Sequence, residues 1–97
     1  MMITLYKSDR QGRIHYYSLD DRQGHLFAKH TFTVNWGMSL TAGREKVYEF
    51  DTRREMDDKL QQLIRDRVGR EYRVLYSYFR NQEYRYLKPA LQKEASS

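Results

Sequence analysis

Between Thr52 and Val68 the chain carries a single helical stripe, and the residues before it alternate or turn. Met56, Leu60, Leu63, Ile64 and Val68 recur at helical spacing, which gives a helix one apolar face. Thr52, with Glu55 three residues on, has the form of a capping box, in which a hydroxyl and a carboxylate satisfy amides left over at a helix start. Asp51 is an alternative cap, and Gly69 stands where a C-terminal stop is expected. The spacing predicts a helix over about 52–68. Its other faces carry Arg53, Arg54, Lys59, Arg65 and Arg67 against Glu55, Asp57, Asp58 and Asp66, a balance that reads as a solvated outer surface.

The stripe needs an apolar partner, and the flanking segments have strand character. Residues 2–8 alternate, and 13–19 are rich in β-branched and aromatic types. The turns that end them, SDRQG and DDRQG, are near copies, each closing on a glycine (Gly12, Gly24) suited to positive φ. Residues 25–35 form a third strand. Phe32, Val34 and Trp36 share a parity, so Trp36 continues that face into a glycine-bearing loop. Residues 45–50 form a fourth strand and 71–79 a fifth, with Tyr72, Val74, Tyr76 and Tyr78 on one parity. Every connection but the helical one is too short for a parallel crossover. The expected fold is therefore α+β: an antiparallel β-sheet of about five strands with one α-helix packed on one face. Residues 1–79 form the domain, and 80–97, polar and interrupted by Lys88-Pro89, form a loosely held tail.

Composition removes several function classes. The chain has 97 residues, no internal repeat and no cysteine, so disulfides, thiolate metal sites and cysteine nucleophiles are excluded. No run approaches the roughly 20 apolar residues of a membrane span, and the first residues lack a signal peptide's apolar run; a cytoplasmic location is expected. Mean hydropathy is −0.97, but nine tyrosines, four phenylalanines and a tryptophan argue for a folded core.

Catalytic and metal constellations are absent from the pattern. His15, His25 and His30 lack helical i, i+4 spacing, and His25 and His30 differ in parity. Ser18, Ser39 and Ser77 have no nucleophile-elbow context. Asp20-Asp21 and Asp57-Asp58 are sequence neighbours whose side chains diverge, and no phosphate-binding loop or dinucleotide fingerprint occurs. The expectation is a protein that is no enzyme, with no metal, cofactor or small-molecule substrate. Binding features are richer. The net charge is +5 and the pI near 9.6, which biases the chain toward anionic partners. Arginine outnumbers lysine, and tyrosines interleave with arginines, as in Tyr72-Arg73 and Tyr84-Arg85-Tyr86. Such pairs can clamp phosphates and stack on bases, or can equally be sheet tyrosines beside snorkelling arginines.

The order of elements, Tyr16-Tyr17 in the second strand, the spacing from Trp36-Gly37 to Gly43, and Gly69 with Tyr72 after the helix together resemble the WGR domain, over roughly residues 2–79. That domain occurs in DNA-dependent poly-ADP-ribose polymerases and in many bacterial proteins. The resemblance implies that the loop's tryptophan engages a DNA end and that its arginine binds phosphate. Here Met38 replaces the arginine, and Arg44 stands where the family usually has glutamine. The implied nucleic-acid contacts, with DNA favoured, are Trp36, Gly37 and Arg44, with Lys46 and Arg73 nearby. The alternative is a protein-interaction or homodimerisation surface built on Trp36, Met38 and Leu40.

Overall fold

The computed structural model describes residues 1–21, 30–39, 41–79 and 86–91. Its elements are β1 (Met2–Ser8), β2 (Ile14–Asp20), β3 (His30–Met38), β4 (Arg44–Phe50), α1 (Arg53–Gly69), β5 (Arg73–Tyr78) and the short α2 (Lys88–Leu91). The strands form one antiparallel sheet in the order β4-β3-β2-β1-β5. The turn at Gly24 and the start of the expected third strand lie outside the described residues; the turn at Gly12 has the positive φ expected of it, +78°.

Residues opposite one another in an antiparallel ladder share a face, so the register assigns the sheet's two sides. Leu5, Tyr17, Trp36 and Arg44 form one rung of the side that faces α1, and Ile3, Leu19, Val34 and Lys46 form the next. Ile3, Leu5, Leu19 and Phe32 are fully buried there, against Met56, Leu60, Ile64 and Val68 of the helix. Each such apolar side chain removed from water contributes roughly 1.5–3 kcal/mol. Phe32 stacks on Tyr48 and Phe50 at 5.1 and 5.8 Å between ring centroids, which fastens β4 to β3.

The N-cap of α1 is the one the sequence indicates, whereas its C-terminal end differs. Thr52 is the N-cap and accepts from the Glu55 amide at 3.2 Å, while its hydroxyl donates to Glu55 Oε1 at 2.9 Å. At the other end Gly69 is the last helical residue, not the residue beyond it. The left-handed position falls to Glu71, with φ +72°. The Tyr72 amide donates to the Arg67 carbonyl and the Glu71 amide to the Val68 carbonyl, the bond pair of a Schellman motif.

Two further differences concern the end of the chain. The alternation expected through Tyr72, Val74, Tyr76 and Tyr78 is broken, because Val74 pairs with Leu5 and Tyr76 with Thr4, leaving Leu75 as a bulge. An extra residue reverses the facing of the strand beyond it. Val74 therefore packs on the core, while Tyr76 and Tyr78 lie half exposed on the helix-free side. Residues 86–91, placed by the sequence in a loosely held tail, lie against α1. Leu87 is fully buried, and the Tyr86 hydroxyl donates to Asp57 Oδ1 at 2.6 Å.

Candidate functional site

Three of the expected contact residues meet at one end of the sheet. Trp36 and Gly37 lie in β3 itself, not in the loop after it. Trp36 is paired with Arg44 across the β3–β4 ladder, and Gly37 with Tyr16 across the β2–β3 ladder. Trp36, Gly37, Met38, Arg44, His15, Tyr16 and Tyr72 line a cavity of about 280 Å³, together with Thr41 and Ala42. Trp36 is half-buried against the core and Arg44 is exposed. The indole is thereby held in place, with a guanidinium beside it on the same face.

The spacing from Gly37 to Gly43 has a packing reason. A Cβ on Gly37 would meet the Gly43 Cα at 3.0 Å and Tyr16 Oη at 3.3 Å. A Cβ on Gly43 would collide with Tyr16 Oη and come within 2.9 Å of the Trp36 carbonyl. The hairpin closes glycine on glycine, with the Tyr16 phenol across both. This closure fixes where Trp36 and Arg44 stand.

The remaining expected residues lie elsewhere. Lys46 is one rung away, with its ammonium 4.7 Å from the Tyr48 ring centroid. Arg73 is on β5, at the opposite edge of the sheet from β4, where it lines a second cavity with Tyr6, Lys7, Ser8 and Glu71. Leu40, part of the alternative apolar surface, lies outside the described residues; Met38 is half-buried in the Trp36 cavity.

Sequence reasoning missed Arg67 and Tyr17. Arg67, grouped by sequence with a solvated face, is half-buried, with its guanidinium 4.2 Å from the Tyr17 ring centroid and 5.5 Å from that of Tyr72. Tyr17 is the rung neighbour of Trp36, so a second cation stands beside the indole's row. Burial raises the Tyr17 phenol above its ordinary pKa, and the Arg67 charge opposes that rise. Arg67 three residues beyond Ile64 gives no signal of this, because the register that brings Tyr17 beneath it is a long-range property.

His15 is held from outside the cavity. Its Nε2 is 3.0 Å from Asp9 Oδ2, and Asp9 also accepts from Arg13 Nε at 2.8 Å and from the Gln11 and Arg13 amides. The His15 hydrogen bond is the largest of several contacts that hold the Asp9 carboxyl well below the usual carboxylate range, against a rise from desolvation. Among the described residues no cluster of three or more His, Asp or Glu side chains is arranged to hold a metal. No described helix is long and apolar enough to cross a membrane.

The topology sorts charge by end. The ends of β1, β3 and α1 and the starts of β2, β4 and β5 converge, and among the described residues this brings Lys7, Arg10, Arg13, Arg44, Arg67, Arg70 and Arg73 together with Asp9, Glu45, Asp66 and Glu71. Among the described residues the opposite end holds Asp20, Asp21, Glu49, Asp51, Glu55, Asp57 and Asp58, with Arg53, Arg54 and Lys88.

A family model described as the WGR domain matches residues 1–78. No curated protein matches the chain.

Proposed function

The chain belongs to the WGR domain family, and on that premise we propose that it is a non-catalytic module that binds nucleic acid, DNA above all, at the basic end of its sheet. The family is associated with nucleic-acid binding. The observation that carries the reading for this chain is the Trp36–Arg44 pair, registered on one face at the mouth of a cavity. An indole offers a flat surface for a sugar or base, and a guanidinium offers paired donors to a phosphate. Met38 cannot donate to phosphate, and Arg44 supplies the missing cation from the facing strand. Arg67, above Tyr17, extends the positive field along the same row.

The test is fluorescence anisotropy of labelled duplex and single-stranded DNA at several salt concentrations. Affinity is expected to fall steeply as salt rises, because each neutralised phosphate releases counterions. Arg44→Ala is expected to weaken binding roughly tenfold and to reduce the salt slope by about one. Trp36 is the sole tryptophan, so its emission is expected to change when a base or sugar covers it. Binding that ignores both salt and Arg44→Ala would sink the reading. Met38 in the cavity wall favours a second reading, a contact with a protein or a second copy; a concentration-dependent mass in sedimentation equilibrium, lost in Met38→Lys, would support it.

A further inference from the structure

The cavity between β1 and β5 belongs to neither the family signature nor the Trp36 site, and its lining is unusual for a phosphate site. Lys7 and Arg73 supply cations, Ser8 a hydroxyl, Tyr6 a ring and Glu71 a carboxylate. Among the described residues the Glu71 carboxylate makes no ion pair or hydrogen bond, and neither does the Lys7 ammonium. A bare phosphate would be repelled by Glu71. A nucleotide is not, because a carboxylate can accept from the amino groups of a base while the cations take its phosphate. The cavity's volume of about 340 Å³ falls in the range of small-ligand pockets.

The register connects this cavity to the first. Arg73 pairs with Tyr6, Tyr6 with Tyr16, and Tyr16 with Gly37, so one rung of the helix-free face runs from the second cavity across two tyrosines into the Trp36 cavity. At its far end Gly37 and Gly43 close on each other beneath the Tyr16 phenol, so that ring is the surface the rung presents there. Three strand spacings separate Gly37 from Arg73, about 14 Å, the length of about four stacked nucleotides at roughly 3.4 Å each.

We propose that the Tyr6–Lys7–Ser8–Glu71–Arg73 cavity takes one unpaired nucleotide of a single-stranded extension, whose chain reaches it from the Trp36 cavity across Tyr16 and Tyr6. The base stacks on Tyr6 and donates an amino N–H to Glu71, and its phosphate lies between Lys7 and Arg73. The proposal rests on nucleic-acid binding at the Trp36 cavity, and it makes the domain a reader of overhangs in preference to flush ends.

The experiment compares a blunt duplex with the same duplex carrying a 3′ or a 5′ extension of about four nucleotides, by anisotropy at one salt concentration. The intact chain is expected to bind one of the extended duplexes roughly five- to a hundred-fold more tightly than the blunt one, the gain that one stacked base supplies. Tyr6→Leu and Glu71→Ala are expected to bring that ratio toward one without weakening blunt-end affinity, while Trp36→Ala weakens all three probes together. Both cavity variants alter exposed or half-exposed side chains, and thermal melting confirms their fold. Equal affinity of the intact chain for all three probes, or a preference that survives both cavity variants, would overturn the overhang site and leave the Trp36 reading standing. Failure to bind any probe would overturn both.

Discussion

The closure of the β3–β4 hairpin makes a quantitative claim that a double-mutant cycle can test. A methyl group on Gly43 has no room: it would overlap the Tyr16 hydroxyl oxygen, sit 2.9 Å from the Trp36 carbonyl and approach Tyr16 Cζ at 3.3 Å. Overpacking typically costs about 1–3 kcal/mol, and a collision that involves backbone as well as a side chain places Gly43→Ala in the upper part of that range, ~2–3 kcal/mol. Tyr16→Phe removes the first obstacle and leaves the others. The phenol has no hydrogen-bond partner among the described residues, so Tyr16→Phe alone should cost no more than about 0.5 kcal/mol. In the Tyr16→Phe background, Gly43→Ala still meets the Trp36 carbonyl and should cost ~1 kcal/mol. The coupling is therefore about 1–2 kcal/mol, well above the few tenths expected of independent sites. Urea unfolding followed by Trp36 emission and by helical circular dichroism gives all four stabilities and checks that the two probes agree. In melting, the single Gly43→Ala change should lower Tm by roughly 10–20 °C for a domain of this size. Additive effects, or a Gly43→Ala protein as stable as the parent, would refute the clamp.

Three further outcomes rest on the same geometry. Glu71 holds a left-handed backbone that costs a non-glycine residue about 1–2 kcal/mol, whereas a Cβ on helical Gly69 meets open space. Glu71→Gly should therefore raise stability by up to ~1 kcal/mol, and Gly69→Ala by a few tenths to ~1 kcal/mol; a loss of stability in either would contradict the assigned helix end. Leu87→Ala should cost about 2–5 kcal/mol because Leu87 is fully buried, and a change near zero would show that residues 86–91 do not hold the core together. The Asp9 carboxyl is held below its unfolded-state pKa of about 3.9. Its stabilisation is thus complete above about pH 4 and is lost as pH falls toward the folded-state value. Asp9→Ala should flatten the dependence of stability on pH below about 4, and acid titrations that superimpose for the two proteins would rule this out.

The elements of this fold are written locally, and the site is not. The Met56–Val68 stripe and the Thr52 cap suffice to place α1, because helical spacing and capping are read within a few residues. The Trp-Gly spacing is enough to single out Trp36 and Arg44, which the structure pairs across one cavity, and parity alone puts Phe32, Val34 and Trp36 on one face. Four features escape such a reading. A one-residue bulge at Leu75 cannot be seen in an alternating pattern, since it depends on which residue of β1 stands opposite. Gly69 looks like a helix stop because glycine usually takes the left-handed position, yet the closing bonds run further along the chain and load Glu71 instead. Arg67 looks like one charge among nine, and only the pairing of Tyr17 with Trp36 makes it part of the site. Arg73 stands out for the tyrosine beside it in sequence, but β5 lies at the far edge of the sheet, which gives it a separate cavity.

Among the described residues, charge is separated between the two ends, and this separation has a direction that matters in solution. In the field of a polyanion, a body that is basic at one end and acidic at the other experiences a torque as well as an attraction, and it turns before it touches. Arrival with the acidic end forward is repelled, so fewer encounters are spent in the wrong orientation. This turning operates within about one Debye length, roughly 8 Å at physiological salt, and appears in the association rate more than in the lifetime of the complex. Neutralising Asp57 and Asp58, far from the cavity, would raise the net charge yet weaken this orientation. The sum of the charges thus says less about how such a body would approach a polyanion than their arrangement does.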